Sequence, residues 1–297
     1  MKIFKKNVIK DFPKTLWDYL KKLYTSFDKD HLWILSSGVA FNVVLCIIPF
    51  VLILFTVVGI YLGSTDTIQK FSQYLNQVTP LPPEFKLTFI EQLNERANEI
   101  TGNAFVTGVI GIVGLIWTMS GLFGALRDVL NKIYYVQEGY NFITAKIRDF
   151  ILVFVTLVLF IISMSVTSGM HIIQYYSIKM FGSVLYIGLL EKGISIFISF
   201  LMTFLLFYML YFFVPHWKYP KKASLFSTFI ASILFEITKY GFTLYLLNFS
   251  NYTRIYGTYA VLAIILLWIY LISLIFVMCT SLGKIFYDRN NIIKETV

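Results

Sequence analysis

The sequence predicts an all-α integral membrane protein, a bundle of six transmembrane helices preceded by an amphipathic interfacial helix. Three observations predict this class. The chain of 297 residues is 58% hydrophobic and only 14% charged, whereas soluble domains carry roughly a quarter charged residues. Its apolar residues fall in runs long enough to cross about 30 Å of hydrocarbon as helices. Its basic residues gather at the ends of those runs.

Six apolar runs reach the length of a membrane span. They cover residues 32–62, 104–126, 150–173, 194–214, 223–247 and 256–282. Because hydrocarbon offers no partner to backbone amides, runs of this length form helices. The predicted organisation is a cytoplasmic segment at 1–30, a transmembrane domain at 31–283 with an outer loop at 63–103, and a cytoplasmic tail at 284–297.

The basic residues predict the orientation. Eighteen of the 25 lysines and arginines lie on the side of the two termini, six lie on the other side, and Lys239 lies inside a helix. Since cytoplasmic ends of membrane spans carry the excess of basic residues, both termini are predicted to be cytoplasmic. The net charge of +9 is then explained by anionic lipid headgroups. We expect membrane lipids as partners and no nucleic acid.

The segment before the first span has the pattern of an amphipathic helix. Lysines lie between apolar residues that recur every three or four positions. We expect this helix to start near Asp11 and to lie on the inner interface of the membrane; a soluble regulatory arm is the alternative. The apolar positions are Phe12, Leu16, Leu20, Leu23 and Phe27.

Neither metal nor enzyme chemistry is indicated by the sequence. Cys46 and Cys279 each lie in an apolar run, and the three histidines are isolated from one another. Nucleophile-elbow, phosphate-loop and zinc-protease motifs are absent. We therefore expect no cofactor, no bound metal and no enzymatic activity.

The fifth predicted helix carries a polar stripe. Its members recur every three or four residues: Thr228, Ser232, Glu236, Lys239 and Thr243. A charge at the middle of a span costs about 2.5–3.5 kcal/mol and usually faces the bundle interior. Lys239 lies one turn from Glu236, where it can pair with it. Two interpretations remain: an internal ion pair that fixes helix packing, or a polar path that contacts a lipid or small-molecule substrate or carries protons.

The second predicted helix carries a stripe of small residues. The stripe comprises Gly108, Gly111, Gly114, Thr118, Gly121 and Ala125. Small residues let a neighbouring helix approach closely, so this face is predicted to pack against another helix. A sliding surface for conformational change is the alternative. In the first helix, Pro49 removes one backbone hydrogen bond and can introduce a kink.

Several segments carry motifs in a defined order along the chain. The first span is rich in small residues and has Pro49 near its middle. Asn131 and Tyr134 follow the second helix, Tyr256 and Gly257 lie in the last loop, and Trp268 lies in the last helix. Together these segments resemble the YihY/BrkB family of bacterial inner-membrane proteins. The resemblance covers residues 12–285.

The resemblance implies a six-helix fold and an inner-membrane location. A role in moving lipids or other envelope molecules has been suggested for some family members. Family members have also been labelled tRNA-processing ribonucleases. Nucleic-acid hydrolysis usually needs clustered carboxylates or histidines that hold metal ions, and this sequence has no such cluster. The sequence departs from the family pattern at Asn42, and at Met278–Ser281, where many members have a glycine and a glutamate. Transport is the leading hypothesis, a scaffold protein is the alternative, and the ribonuclease is the least supported.

Overall fold

The structure, a computed structural model, describes residues 8–61, 104–136, 143–156, 158, 185–215, 220–256 and 258–295. Within these ranges the chain forms seven helices and no strand, which confirms the all-α class. The helices are α1 (Val8–Lys29), α2 (Leu32–Tyr61), α3 (Ala104–Tyr134), α4 (143–156), α5 (Leu185–Phe213), α6 (Lys221–Tyr256) and α7 (Thr258–Glu295). The predicted outer loop at 63–103 lies outside the described residues.

Among the described residues, four helices are long and apolar enough to cross a membrane, judged by length and composition. Large apolar side chains such as Phe105 and Trp117 are exposed on them, as on surfaces that face lipid. The third predicted span, 150–173, is described only in its first part. The four candidate spans are Leu32–Leu54, Phe105–Tyr134, Lys221–Leu246 and Leu262–Arg289. A shorter apolar stretch, Phe197–Phe213, forms the second part of α5.

Helix α3 ends at Tyr134, eight residues beyond the predicted end of the apolar run at 126. It terminates in a Schellman motif, in which the Val136 N–H donates to the Asn131 carbonyl at 2.9 Å. The Tyr135 N–H donates to the Lys132 carbonyl at 3.3 Å. Tyr135 has a φ of 56°, the left-handed conformation that this cap requires. Hydropathy marks the edge of the apolar run, whereas the cap decides where the helix ends.

Helix α1 begins at residue 8, three residues before the predicted start. Its predicted apolar face packs only in part: Leu23 is buried, Phe27 is half-buried and Leu20 is half-exposed. The side chains of Phe12 and Leu16 lie outside the described residues. A good part of this face therefore contacts the protein itself.

The chain divides into two compact units. Unit 1 comprises Met1–Ser37, Phe123–Glu236 and Ser273–Val297; unit 2 comprises Gly38–Leu122 and Ile237–Ile272. In unit 1 the ring of Tyr211 stacks on Phe276 with centroids 5.0 Å apart, and its hydroxyl donates to the Phe276 carbonyl at 2.8 Å. The core of unit 1 includes Phe123, Leu130, Ile133, Phe207, Val277 and Cys279.

In unit 2 the glycine stripe of α3 faces α2. A Cβ on Gly111 would lie 2.9 Å from Ile53 Cγ1 and 3.3 Å from the Pro49 carbonyl oxygen, closer than side-chain carbons normally approach. A Cβ on Gly114 would lie 3.2 Å from Pro49 Cβ. Glycine therefore permits the close spacing of the two helices around Pro49.

The same contact continues toward both ends of the stripe. A Cβ on Gly108 would lie 2.9 Å from Thr56 Cγ2, and one on Gly121 would lie 3.4 Å from Asn42 Oδ1. Asn42 also donates from Nδ2 to the Gly38 carbonyl at 2.9 Å, which satisfies its amide within α2. The α2–α3 contact thus extends over about four helical turns of α3.

Candidate functional site

The carboxylate of Glu236 lies on α6, within the candidate span Lys221–Leu246. Its Oε1 atom accepts hydrogen bonds from Thr203 Oγ1 at 3.1 Å and from Ser199 Oγ at 3.3 Å. Ser199 and Thr203 are four residues apart on α5, so they share one helix face. All three side chains are half-buried. The structure thus brings one acidic group and two hydroxyls together where α5 and α6 meet.

The Thr203 hydroxyl has two acceptors within reach but only one proton. Besides Glu236 Oε1, its oxygen lies 3.0 Å from the Ser199 carbonyl oxygen. If Glu236 is ionised, the hydroxyl can donate to the carboxylate. If Glu236 is protonated, the carboxyl can donate to Thr203 Oγ1 while that hydroxyl donates to the Ser199 carbonyl. The site therefore satisfies either charge state of Glu236 without moving a heavy atom.

The hydroxyls of the predicted stripe bond to their own helix. Ser232 Oγ donates to the Thr228 carbonyl at 2.8 Å, and Thr228 Oγ1 donates to the Ser224 carbonyl at 2.9 Å; both side chains are buried. Thr243 Oγ1 donates to the Lys239 carbonyl at 2.9 Å from an exposed position. Such back-bonding satisfies a hydroxyl without a ligand. Of the stripe's residues in unit 1, Glu236 is the one bonded across to α5 in the described contacts.

Lys239 belongs to unit 2, where its side chain is half-buried. Its Nζ atom lies 5.9 Å from the centroid of the Tyr240 ring, a cation–π distance. The pairing of Lys239 with Glu236 stays a prediction from their spacing on α6.

Ser199 and Thr203 were not predicted as site residues. The signal in the sequence is two hydroxyl side chains spaced by four residues on an apolar helix, the same pattern that marked the stripe on α6. Hydroxyl pairs of this kind often bond only to their own backbone, so the pattern alone does not identify the partner.

The residues that resemble a family motif lie in packing contacts where they are described. Tyr134 hydrogen-bonds to Ser227, and Ser227 Oγ donates to the Cys279 carbonyl at 2.9 Å. Asn131 is buried in unit 1. In unit 2 the Trp268 ring lies 4.6 Å from that of Phe242. Gly257 and the side chain of Tyr256 lie outside the described residues.

A buried ion pair that was not predicted joins α3 and α4. Arg127 Nη2 donates to Asp149 Oδ1, and both side chains are buried. Beside it, Arg148 Nη2 donates to the carbonyl of Phe213, the last residue of α5, at 2.7 Å. A cation at a helix C-terminus is favoured by the helix dipole. These contacts join α3, α4 and the C-terminal end of α5.

Among the described residues, no group of three histidine, cysteine, aspartate or glutamate side chains is placed to hold a metal ion. The site at Glu236 instead offers one carboxyl group, two hydroxyls and the apolar surfaces of α5 and α6. The contacts shown between these groups are hydrogen bonds.

Comparisons with known proteins identify relatives along most of the chain. A UPF0761 membrane protein of Alteromonas mediterranea is 25% identical over 295 residues, covering 95% of this chain and 94% of the relative. One of Cronobacter sakazakii is 26% identical over 253 residues, covering 85% and 82%. One of Photobacterium profundum is 27% identical over 257 residues, covering 85% and 76%. No solved structure matches the chain.

The apolar helices and these relatives together make the chain a membrane protein with transmembrane helices. A family model described as Virulence factor BrkB matches residues 23–292, which confirms the resemblance found in the sequence. The chain belongs to the Virulence factor BrkB family.

Proposed function

We propose that this protein is a bacterial inner-membrane protein that moves a lipid or another envelope molecule along an internal polar path. Glu236 is the central group of that path. The observation that supports this proposal is that the Glu236 carboxyl group, inside an apolar span, accepts hydrogen bonds from two hydroxyls of the neighbouring helix. A charge at such a position is costly unless it has a use or a partner. The protein acts without a cofactor and is a transporter rather than an enzyme.

The proposed topology has six spans with both termini in the cytoplasm. The excess of basic residues on the side of the termini supports it. Cysteines introduced as Lys2→Cys and Thr296→Cys would test it in intact cells. Protection of both from a membrane-impermeant thiol reagent is expected, and labelling of either terminus from outside would contradict the topology.

Glu236 would act by changing its hydrogen bonds as substrate or a proton passes. The Thr203 hydroxyl supports this proposal because it can donate a hydrogen bond to the ionised carboxyl group or accept one from the protonated carboxyl group. Lys239, one turn along α6, would lie on the same path. Polar headgroups could then pass between helices whose remaining surface suits acyl chains.

Flux measurements in liposomes test the proposal. Purified wild type, Glu236→Gln and Lys239→Met would be reconstituted at equal density, and movement of labelled lipid or solute would be followed. Loss of flux in correctly folded variants is expected. Unchanged flux in both would remove these residues from the mechanism.

A scaffold protein is the second candidate, and the burial of Thr228 and Ser232 favours it. Hydroxyls that are buried and bonded to their own helix need no substrate. In that case Glu236 and Lys239 only hold helices together. Single replacements would destabilise the fold, while replacing both by apolar residues would restore stability and full function in cells.

A further inference from the structure

Helix α1 has one face that packs on unit 1. Leu23 on this face is 7% exposed. The Tyr19 ring lies 6.3 Å from that of Phe226, and the Arg289 guanidinium lies 5.6 Å from the Tyr19 ring. This face holds α1 against α6 and α7.

A second apolar face of α1 contacts no described part of the protein to any large extent. Trp17 is 70% exposed, Leu20 50% and Tyr24 74%. At 3.6 residues per turn these three side chains lie within an arc of roughly 60°, whose centre is about 110° around the helix from the mean direction of Tyr19 and Leu23. Two large aromatic side chains and a leucine side by side are costly to leave in water. Their exposure points to an apolar or interfacial environment.

The chemistry of this second face fits the headgroup layer of a membrane. Tryptophan and tyrosine are enriched there because their rings have an apolar body and a polar edge. Lys21, which lies within roughly 40° of Trp17 around the helix, and Lys22 are both exposed. Residues 1–30 contain eight lysines and four aspartates. An aromatic face with Lys21 at its border, on a segment with an excess of ammonium groups, complements anionic phospholipid.

The position of α1 in the chain also places this helix next to the membrane. Only Asp30 and His31 separate α1 from α2, which enters the candidate span Leu32–Leu54 directly. The Tyr135 hydroxyl donates to Asp30 Oδ1 at 2.8 Å, and the Lys29 ammonium lies 5.7 Å from the Tyr135 ring. The C-terminal end of α1 is therefore held at the point where the chain enters the membrane.

We propose that α1 binds anionic phospholipid, with the Trp17–Leu20–Tyr24 face in the headgroup layer and Lys21 and Lys22 on the lipid phosphates. Of the predicted interfacial positions, Leu23 and Phe27 pack on the protein, whereas Leu20 belongs to the exposed aromatic face that meets lipid. This role does not depend on transport, so it can hold or fail separately from the proposed function.

Tryptophan fluorescence of the full chain in liposomes tests where the second face lies. The difference between wild type and Trp17→Phe isolates the emission of Trp17 from the other four tryptophans. Quenching by lipid brominated near the top of the acyl chain, with shielding from aqueous acrylamide, is expected. Trp117→Phe is the matched control because Trp117 is equally exposed, but within the span of α3; its emission should be shielded whatever the lipid charge.

Native mass spectrometry of the purified full-length protein tests the choice of lipid. Added phosphatidylglycerol should bind more tightly than phosphatidylcholine, and Lys21→Gln with Lys22→Gln should weaken phosphatidylglycerol binding about five-fold per lysine. The charge-preserving pair Lys21→Arg with Lys22→Arg should keep wild-type binding. Gel filtration would establish that each variant is folded.

Three outcomes would overturn the proposal. The first is free access of acrylamide to Trp17 in liposomes, which would make α1 a soluble arm. The second is equal binding of the two lipids, or equal binding by wild type and the glutamine variant. The third is shielding of Trp17 that disappears when the protein is diluted in lipid, which would mean that a second copy covers this face.

Discussion

Arg127 and Asp149, 22 residues apart in the sequence, form an ion pair that is buried between α3 and α4. Removing two charges from water costs several kcal/mol for each, and their attraction offsets this only while both are present. The pair therefore acts as a coupled unit between the two helices.

Arg127→Met or Asp149→Leu alone should lower the free energy of unfolding by about 3–5 kcal/mol, because each leaves the other charge buried without its ion-pair partner. The double variant should recover most of this loss. Unfolding in mixed micelles of mild detergent and SDS would measure both. Lys132→Met, at an exposed position one turn along α3, is the control and should change little. A loss in the double variant equal to the sum of the two single losses would show that the pair is not coupled.

Gly283 and Gly124 should respond to alanine with opposite signs. A Cβ on Gly283 would overlap Ser227 Oγ and lie 3.0 Å from the Tyr134 hydroxyl and 3.2 Å from the Ala223 carbonyl oxygen. Gly283→Ala should cost about 1–3 kcal/mol by overpacking. Gly124 has open space, so Gly124→Ala should be neutral or stabilise α3 by up to about 1 kcal/mol. The same unfolding assay would compare them, and equal effects would contradict the packing described.

Tyr135→Phe should lower the free energy of unfolding at neutral pH, and this effect should disappear at strongly alkaline pH. The hydrogen bond that Tyr135 donates to Asp30 is the main cause that raises the pKa of its phenol above 10.0. A pKa raised in the folded state means that the stabilisation is present below the unfolded pKa and is lost as pH rises through the folded one. The stability difference between wild type and Tyr135→Phe should therefore be constant near neutrality and shrink above about pH 10. A difference independent of pH through this range would exclude the hydrogen bond as its source.

Ser199→Ala combined with Thr203→Val should lower the free energy of unfolding, and the loss should depend on whether residue 236 carries a charge. Removing two donors from an ionised carboxylate costs about 1–3 kcal/mol, and this loss should be smaller when Glu236→Gln is also present. A double-mutant cycle by unfolding would give the coupling. Thr243→Val is the control because that hydroxyl is exposed and bonds within its own helix. Strict additivity would mean that the hydroxyls do not support Glu236.

Much of the fold follows from the apolar runs in the sequence. Helices α2 and α3 are described from Leu32 and Ala104, where apolar runs begin in the sequence. The polar end of α3 does not follow hydropathy: the helix continues through Arg127, whose charge has a partner on α4. Because the partner is 22 residues away, no helical spacing in the sequence indicates the pair.

The candidate site could be predicted only in part. Glu236 is conspicuous because it is an acid within a long apolar helix, and its position needs no structure to be noticed. Its bonds to Ser199 and Thr203 depend on which helix packs against α6. Likewise, spacing places Thr228 and Ser232 on the face of Glu236 but does not reveal that their hydroxyls bond to their own helix.

The central claim is that the Glu236 carboxyl group takes part in moving a lipid or envelope molecule. The most direct measurement is the rate at which a fluorescently labelled phospholipid exchanges between leaflets of liposomes that contain wild type, Glu236→Gln or Thr243→Val. The account predicts that Glu236→Gln slows exchange about ten-fold or more, equivalent to roughly 1.4 kcal/mol of barrier, while Thr243→Val matches wild type. Exchange by folded Glu236→Gln at the wild-type rate, or no exchange above protein-free liposomes in any sample, would contradict it.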